Sequence, residues 1–170
     1  IYPELLLDSA VHIITVLMHR SVYEDVGGFD ERLWTGEDYE YWLRVSRRYP
    51  MHKLARMTAR YRLHVAGATR VPRAESNEIR VLTKAVESFG LSGPDGREVD
   101  RDAFRRRMAT LWFDHGYLHY WHGSPRIATR AFARSLRFER RPRALAYLLL
   151  AGWRTVRGAG HPTVEAEGTT

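Results

Sequence analysis

Asp25-Val-Gly-Gly-Phe-Asp30-Glu-Arg-Leu-Trp-Thr35-Gly-Glu-Asp-Tyr-Glu40-Tyr-Trp-Leu-Arg44 is the stretch on which the reading of this chain turns. Gly27 and Gly28 stop a short helix, and Phe29 and the acidic pair Asp30 and Glu31 follow at once. A second acidic pair, Glu37 and Asp38, then opens a new helix whose inward positions Tyr39, Trp42, Leu43, Ser46 and Tyr49 recur at intervals of three and four. Thr35 is placed to cap that helix, with Asp38 three residues later in capping-box position. Carboxylates at the head of a helix sit where exposed amide groups and the helix dipole favour negative charge. An oriented carboxylate of this kind can take a proton from a weakly acidic hydroxyl. It can equally do no more than cap the helix.

The chain on either side is read from periodicity and breakers. Pro3 and Leu5 to Leu7 suggest a short helix or turn, and Val11 to Met18, rich in β-branched residues, suggests a buried strand. Ser21 and Glu24 frame a short helix, Val22 to Val26, ended by Gly27. Tyr49-Pro50 ends the Glu37-Asp38 helix, and Met51 to Ala55 and Thr58 to His64 read as two short strands. Pro72 to Gly90 is an amphipathic helix with Ile79, Leu82, Val86 and Phe89 on one face. Leu91 to Glu98, with Gly93, Pro94 and Gly96, is a turn-rich connector and the best domain boundary. Three helices follow, Ala103 to Trp121, Ile127 to Phe138 and Arg143 to Val156. Tyr117, Gly123, Ala131, Leu136 and Pro142 fall where a tetratricopeptide-like hairpin wants large, small, small, apolar and stop residues.

Taken together, Gly27-Gly28-Phe29-Asp30-Glu31, Glu37-Asp38-Tyr39 and Trp42-Leu43-Arg44 resemble, in order and spacing, the C-terminal half of the catalytic domain of family 2 glycosyltransferases. Those are inverting enzymes of the GT-A fold that use nucleotide-sugar donors. The likeness covers Ile1 to about Arg70. It implies an α/β chain: a partial GT-A (Rossmann-like) glycosyltransferase domain lacking its N-terminal nucleotide-binding half, over residues 1–90. An all-α helical extension over 91–157 and a disordered tail over 158–170 complete the expected order.

The resemblance also implies roles. Asp38 matches the family's catalytic base, with Glu37 beside it as a positioning carboxylate, and Asp30, Gly28 and Trp42 fall on the substrate side. Tyr61-Arg62-Leu63-His64, followed by small residues and Thr69, resembles the family's Tyr-Arg-x-His segment. His64 is thereby a candidate for a metal or diphosphate, and Arg62 and Thr69 for phosphate oxygens; the alternative is that Arg62 and His64 decorate a solvent-facing edge. The implied cofactor is a divalent cation, Mn²⁺ or Mg²⁺, held mostly by an upstream Asp-x-Asp that this chain lacks. The implied ligands are a nucleotide-sugar donor and a glycan or lipid-linked acceptor. A chain opening at Ile1 in this way is expected to be a fragment, inactive alone.

Composition narrows the alternatives. With 44% hydrophobic and 28% charged residues among 170, the chain reads as globular. The absence of cysteine excludes disulfides and thiolate metal sites. The longest apolar run, Ala144 to Trp153, is about half of the ~20 residues needed to cross a bilayer. The expected location is therefore cytoplasmic, with peripheral contact at the inner face of the membrane open to the Arg-rich helices. Net charge is +7 and only Lys53 and Lys84 are lysines, which leaves 25 of the 27 basic residues as arginine. No reading helix or aromatic-basic sheet pattern supports nucleic acid as a partner.

Two motifs are set aside. Asp100-Arg101-Asp102 spells Asp-x-Asp but follows a glycine-rich loop and opens a helix, so Asp100 reads as an N-cap. His115, His119 and His122 share a helical face without an accompanying carboxylate pattern, and packing explains them better than a metal. The competing reading of the whole chain is a non-catalytic helical interaction module joined to a transferase remnant.

Overall fold

Helix boundaries follow local chemistry. A computed structural model describes residues 1–60 and 71–158. α1 (Tyr2–Leu7) carries Pro3 in its first turn, where an intrahelical amide donor is not needed. α2 (Arg20–Val26) is capped by His19, whose Nδ1 accepts from the Ser21 amide at 3.3 Å, and stops at Gly27. α3 spans Glu37–Val45. α4 (Asn77–Phe89) starts only at Ser76, whose Oγ accepts from the Ile79 amide at 3.5 Å, so residues 72–76 lie outside it. Gly90, at φ 71°, ends α4 with its amide on the Val86 carbonyl. α5 (Arg101–His122) is capped by Asp100, whose Oδ1 accepts from the amides of Asp102 at 2.8 Å and Ala103 at 3.1 Å. α6 (Pro125–Phe138) and α7 (Pro142–Val156) each begin on proline.

The expected α/β architecture is overturned: the described residues are helical and contain no sheet. Residues 11–18, expected as a buried strand, hold a 3₁₀ turn at Ile13–Thr15 between extended residues, and Ile13, Ile14 and Leu17 are exposed. Strand preference of β-branched residues reflects fit to a pleated, half-buried surface. Without a neighbouring strand to pair the amides and carbonyls, that preference yields only extended chain. Residues 51–60, expected to carry strands, are irregular, and residues 61–64 lie outside the described set. An isolated antiparallel bridge, Ser92 with Glu98, is the β-type pairing seen among the described residues. The partial GT-A (Rossmann-like) architecture is therefore withdrawn.

The chain divides into two units that do not follow the 90/91 boundary. One holds the described residues of Ile1–Val71 and Glu75–Arg107; the other holds Pro72–Ala74 and those of Met108–Thr170. In the first, Tyr2, Leu5 and Leu6 of α1 are buried with Tyr39, Trp42 and Leu43 of α3 and with Ile79 and Leu82 of α4. Two phenols tie this core together. Tyr2 donates to the carbonyls of Ala85 at 3.2 Å and Gly90 at 2.9 Å, and burial pushes its hydroxyl up to about 12. Tyr39 donates to the Leu5 carbonyl.

In the second unit, Phe113, Ala128, Phe132, Ala144 and Ala151 form the core, and Tyr117, Tyr120, Tyr147 and Leu148 pack against it. Ser135 is fully buried and donates to the Ala109 carbonyl at 2.7 Å, joining α6 to α5. His119 caps both ends of its own bond set: its ring faces the Arg73 carbonyl at 2.7 Å and the Ser124 amide at 3.2 Å. Among the described residues no three His, Asp or Glu side chains are placed to hold a metal.

Two predictions follow from this unit's packing. A Cβ on Gly116 would sit 2.9 Å from the Phe132 ring and 3.2 Å from Ala131. Overpacking of a closed core costs about 1–3 kcal/mol, against roughly 1 kcal/mol gained in helix propensity. Gly116→Ala should thus lower the urea midpoint despite being a better helix former; a raised midpoint would show that the Phe132 ring gives way. Burial lowers the His115 imidazole from 6.5 to about 4, the neighbouring His119 adding to the shift and the Ala74 carbonyl opposing it. Between those values the unfolded chain holds a proton that the folded chain refuses. The His115 contribution to stability is therefore complete above pH 6.5 and drains as pH falls towards 4, and His115→Gln should flatten that part of the slope in melting curves followed by circular dichroism.

Candidate functional site around Glu37 and Asp38

Gly36, not Thr35, caps α3, and it does so through its backbone. Its φ of 77° and ψ of 13° are left-handed, a conformation glycine adopts without a Cβ penalty. No side chain caps this end, and Thr35 Oγ1 instead accepts from Asn77 Nδ2 at 3.3 Å. The first turn of α3 then carries three acids, Glu37, Asp38 and Glu40. Asp38 is partly exposed, and its Oδ1 accepts from the Tyr39 amide at 2.8 Å. Glu37 Oε2 is buried and has no hydrogen-bond partner among the described residues, and the same holds for Trp42 Nε1. A buried polar atom left without a partner costs about 1–3 kcal/mol, more if charged.

The loop that precedes this turn is held by one guanidinium. Arg44 Nη1 donates to the Val26 carbonyl at 2.7 Å and Nη2 to the Gly28 carbonyl at 2.7 Å. Its Nε reaches both Glu40 oxygens, at 2.9 and 3.0 Å, and its plane lies 5.1 Å from the Tyr41 ring centroid. Asp30 is fixed in turn: Oδ1 and Oδ2 accept from Arg32 Nε and Nη2 at 2.8 Å each, and Lys84 Nζ stands 3.5 Å away. The Arg32 hydrogen bonds hold the Asp30 carboxyl far below the usual carboxylate range. Lys84 also stands 4.0 Å from Glu40, so Asp30, Lys84, Glu40 and Arg44 form one charged chain from the loop across α3 to α4.

The structure thus sorts the expected site residues. Glu37 and Asp38 stand together at the head of α3. Trp42 is 2% exposed and edge-on to Tyr41 at 5.1 Å, in the core. The Gly28 carbonyl and the Asp30 carboxylate are engaged within the protein. Arg62, His64 and Thr69 lie outside the described residues. The described residues do not make a donor set for a divalent cation. A groove of about 90 Å³ lies between α3 and α4, lined by Glu40, Leu43, Arg44, Lys84 and Phe89 among others. It is too small for a nucleotide sugar, since pockets for ligands of that size run to about 300–1,000 Å³. Glu37 and Asp38 do not line it.

The organising roles of Arg44, Glu40 and Lys84 were not assigned from sequence. The i,i+4 spacing of Glu40 and Arg44 was the available signal; the two carbonyls that Arg44 binds carried none. Arg44→Lys should loosen the Gly27–Asp30 loop, because a point charge cannot span two carbonyls and a carboxylate as a planar fork does. The expected loss is about 2 kcal/mol in chemical denaturation, with faster amide exchange at Phe29 and Asp30. Unchanged exchange there would show the loop to be held by other contacts. Comparisons with protein-family models, with curated proteins and with solved structures returned no match for this chain.

Proposed function

We propose that this chain is the acceptor-side segment of an inverting glycosyltransferase of the family 2 type, with Asp38 as general base and Glu37 as the carboxylate that positions the acceptor. The observation that carries it is the pair itself: adjacent acids on a helix head, one of them presenting a buried, unpartnered carboxylate oxygen. An acceptor saccharide offers several hydroxyls, and one of them bonded to the other Glu37 oxygen, Oε1, would bring its neighbour to Asp38. The attacking hydroxyl gives its proton to the Asp38 carboxylate as its oxygen bonds to the anomeric carbon. The bond from that carbon to the nucleoside diphosphate breaks in the same displacement, and configuration inverts. The rigid loop beneath, locked by Arg44 and Arg32, keeps the two carboxylates in register with the acceptor.

A second reading, a non-catalytic helical interaction module, is favoured by the small groove on α3 and α4 and by the all-helical second unit. The native gene product, supplied with labelled nucleotide sugars, separates the two. Asp38→Asn should cut transfer by about 10²–10⁴-fold, the usual worth of a positioned general base, with melting temperature unchanged. Glu37→Gln should raise the acceptor KM more than it lowers kcat. Equal turnover in parent and Asp38→Asn removes the base assignment, and no transfer from any nucleotide sugar leaves the interaction module as the better account.

A further inference from the structure

α7 is apolar on two opposite faces. Ala144 and Ala151 are fully buried against the second unit's core, and Tyr147 and Leu148 pack beside them. Leu145, Leu149, Trp153 and Val156, spaced by four, four and three, form a stripe on the other side of the same helix. That stripe faces solvent: Leu149 is 67% exposed, Trp153 56% and Val156 88%. A helix that is apolar all round is ordinarily covered all round, and exposed apolar stripes of this kind mark interaction surfaces.

Charge decides what covers it. Residues 124–157 contain nine arginines and one acid, Glu139, a net of +8 that exceeds the +7 of the entire chain. α7 has no acidic residue, and Arg157, the exposed residue that follows its last turn, lies 4.1 Å from the Trp153 ring centroid at the end of the stripe, whereas Arg143 stacks over the Phe113, Tyr117 and Tyr147 rings on the inner side. A second copy of the chain would bring the same arginines to the same face, and like charges brought together oppose pairing. Nucleic acid would answer the arginines but not the leucines. A bilayer with anionic headgroups answers both: its acyl boundary takes the leucines, and tryptophan and arginine sit at headgroup depth.

We propose that the outer face of α7 is a docking surface for an anionic phospholipid bilayer. α7 has 15 residues, and among the described residues no helix is long and apolar enough to cross a membrane. The contact is therefore in the plane of the surface, with the Arg157 stem lying against Trp153 and its guanidinium on a lipid phosphate. It stands independently of Asp38 and of the transferase reading.

The test is sedimentation of the whole chain with vesicles of phosphatidylcholine alone or mixed with phosphatidylglycerol. The chain should bind the mixed vesicles at least about tenfold more tightly than the neutral ones, and less tightly as salt is raised. Leu149→Glu, a change at an exposed position, should abolish binding with helix content unchanged. Trp153 emission should be quenched by bromine-labelled lipid chains, a signal lost in Trp153→Phe. Three results would overturn the proposal: no binding to mixed vesicles, Leu149→Glu binding as well as the parent, or a concentration-dependent dimer that Leu149→Glu breaks apart.

Discussion

The Arg44 guanidinium is the constraint on which the first unit's working geometry depends. It is the one side chain that reaches back from α3 to the carbonyl ending α2 and to the Gly28 carbonyl in the following loop. A planar fork can do this because its donors diverge at fixed angles. Glu40 neutralises the charge from one turn below, so the guanidinium can be three-quarters covered without being left unpaired. The glycine pair has its explanation here. Gly27 leaves α2 at φ 84°, which turns the Val26 and Gly28 carbonyls toward Arg44 rather than toward water.

Asp30 and Arg32 extend the same logic to the loop's far side. A carboxylate engaged by an Arg fork and a backbone amide cannot also receive a substrate without giving those bonds up. The loop is thus a rigid support, and the head of α3 is where uncommitted carboxylate oxygen remains. The division of labour within one twenty-residue motif is between Asp30 and Glu40, which are taken up by arginines, and Glu37, which keeps an oxygen without a partner among the described residues.

Much of the helical layout was legible in the sequence, because helices declare themselves locally. Gly27 and Gly90 as stops, Asp100 as a cap, and proline openings for α6 and α7 each act within a few residues of the boundary they set. The sheet was not a local matter. Residues 11–18 have the composition of a strand, yet a strand exists only when another chain segment satisfies its amides and carbonyls, and that is information the segment does not contain. Caps of α2 and α3 fell elsewhere for a related reason: His19 stands two positions before Ser21 and Gly36 one position after Thr35, hydroxyl residues of higher statistical preference, and ring geometry and backbone angle decided between them. The acidic pair at Glu37 and Asp38 was visible as a motif. The inward fate of Trp42 was also implied by its helical spacing, and assigning it to substrate set the resemblance above that periodicity.

Pro72–Ala74 belongs with the second unit, while residues on both sides of it in the chain belong with the first. The polypeptide therefore visits the second unit, returns, and enters it again through α5. Severing the chain at 107/108 would not release two self-sufficient pieces. The carboxyl-terminal piece would lack the Arg73 and Ala74 carbonyls that meet His119 and His115, leaving two half-covered imidazoles at its newly opened edge. A cut that carries the second unit whole would have to take Pro72–Ala74 with it.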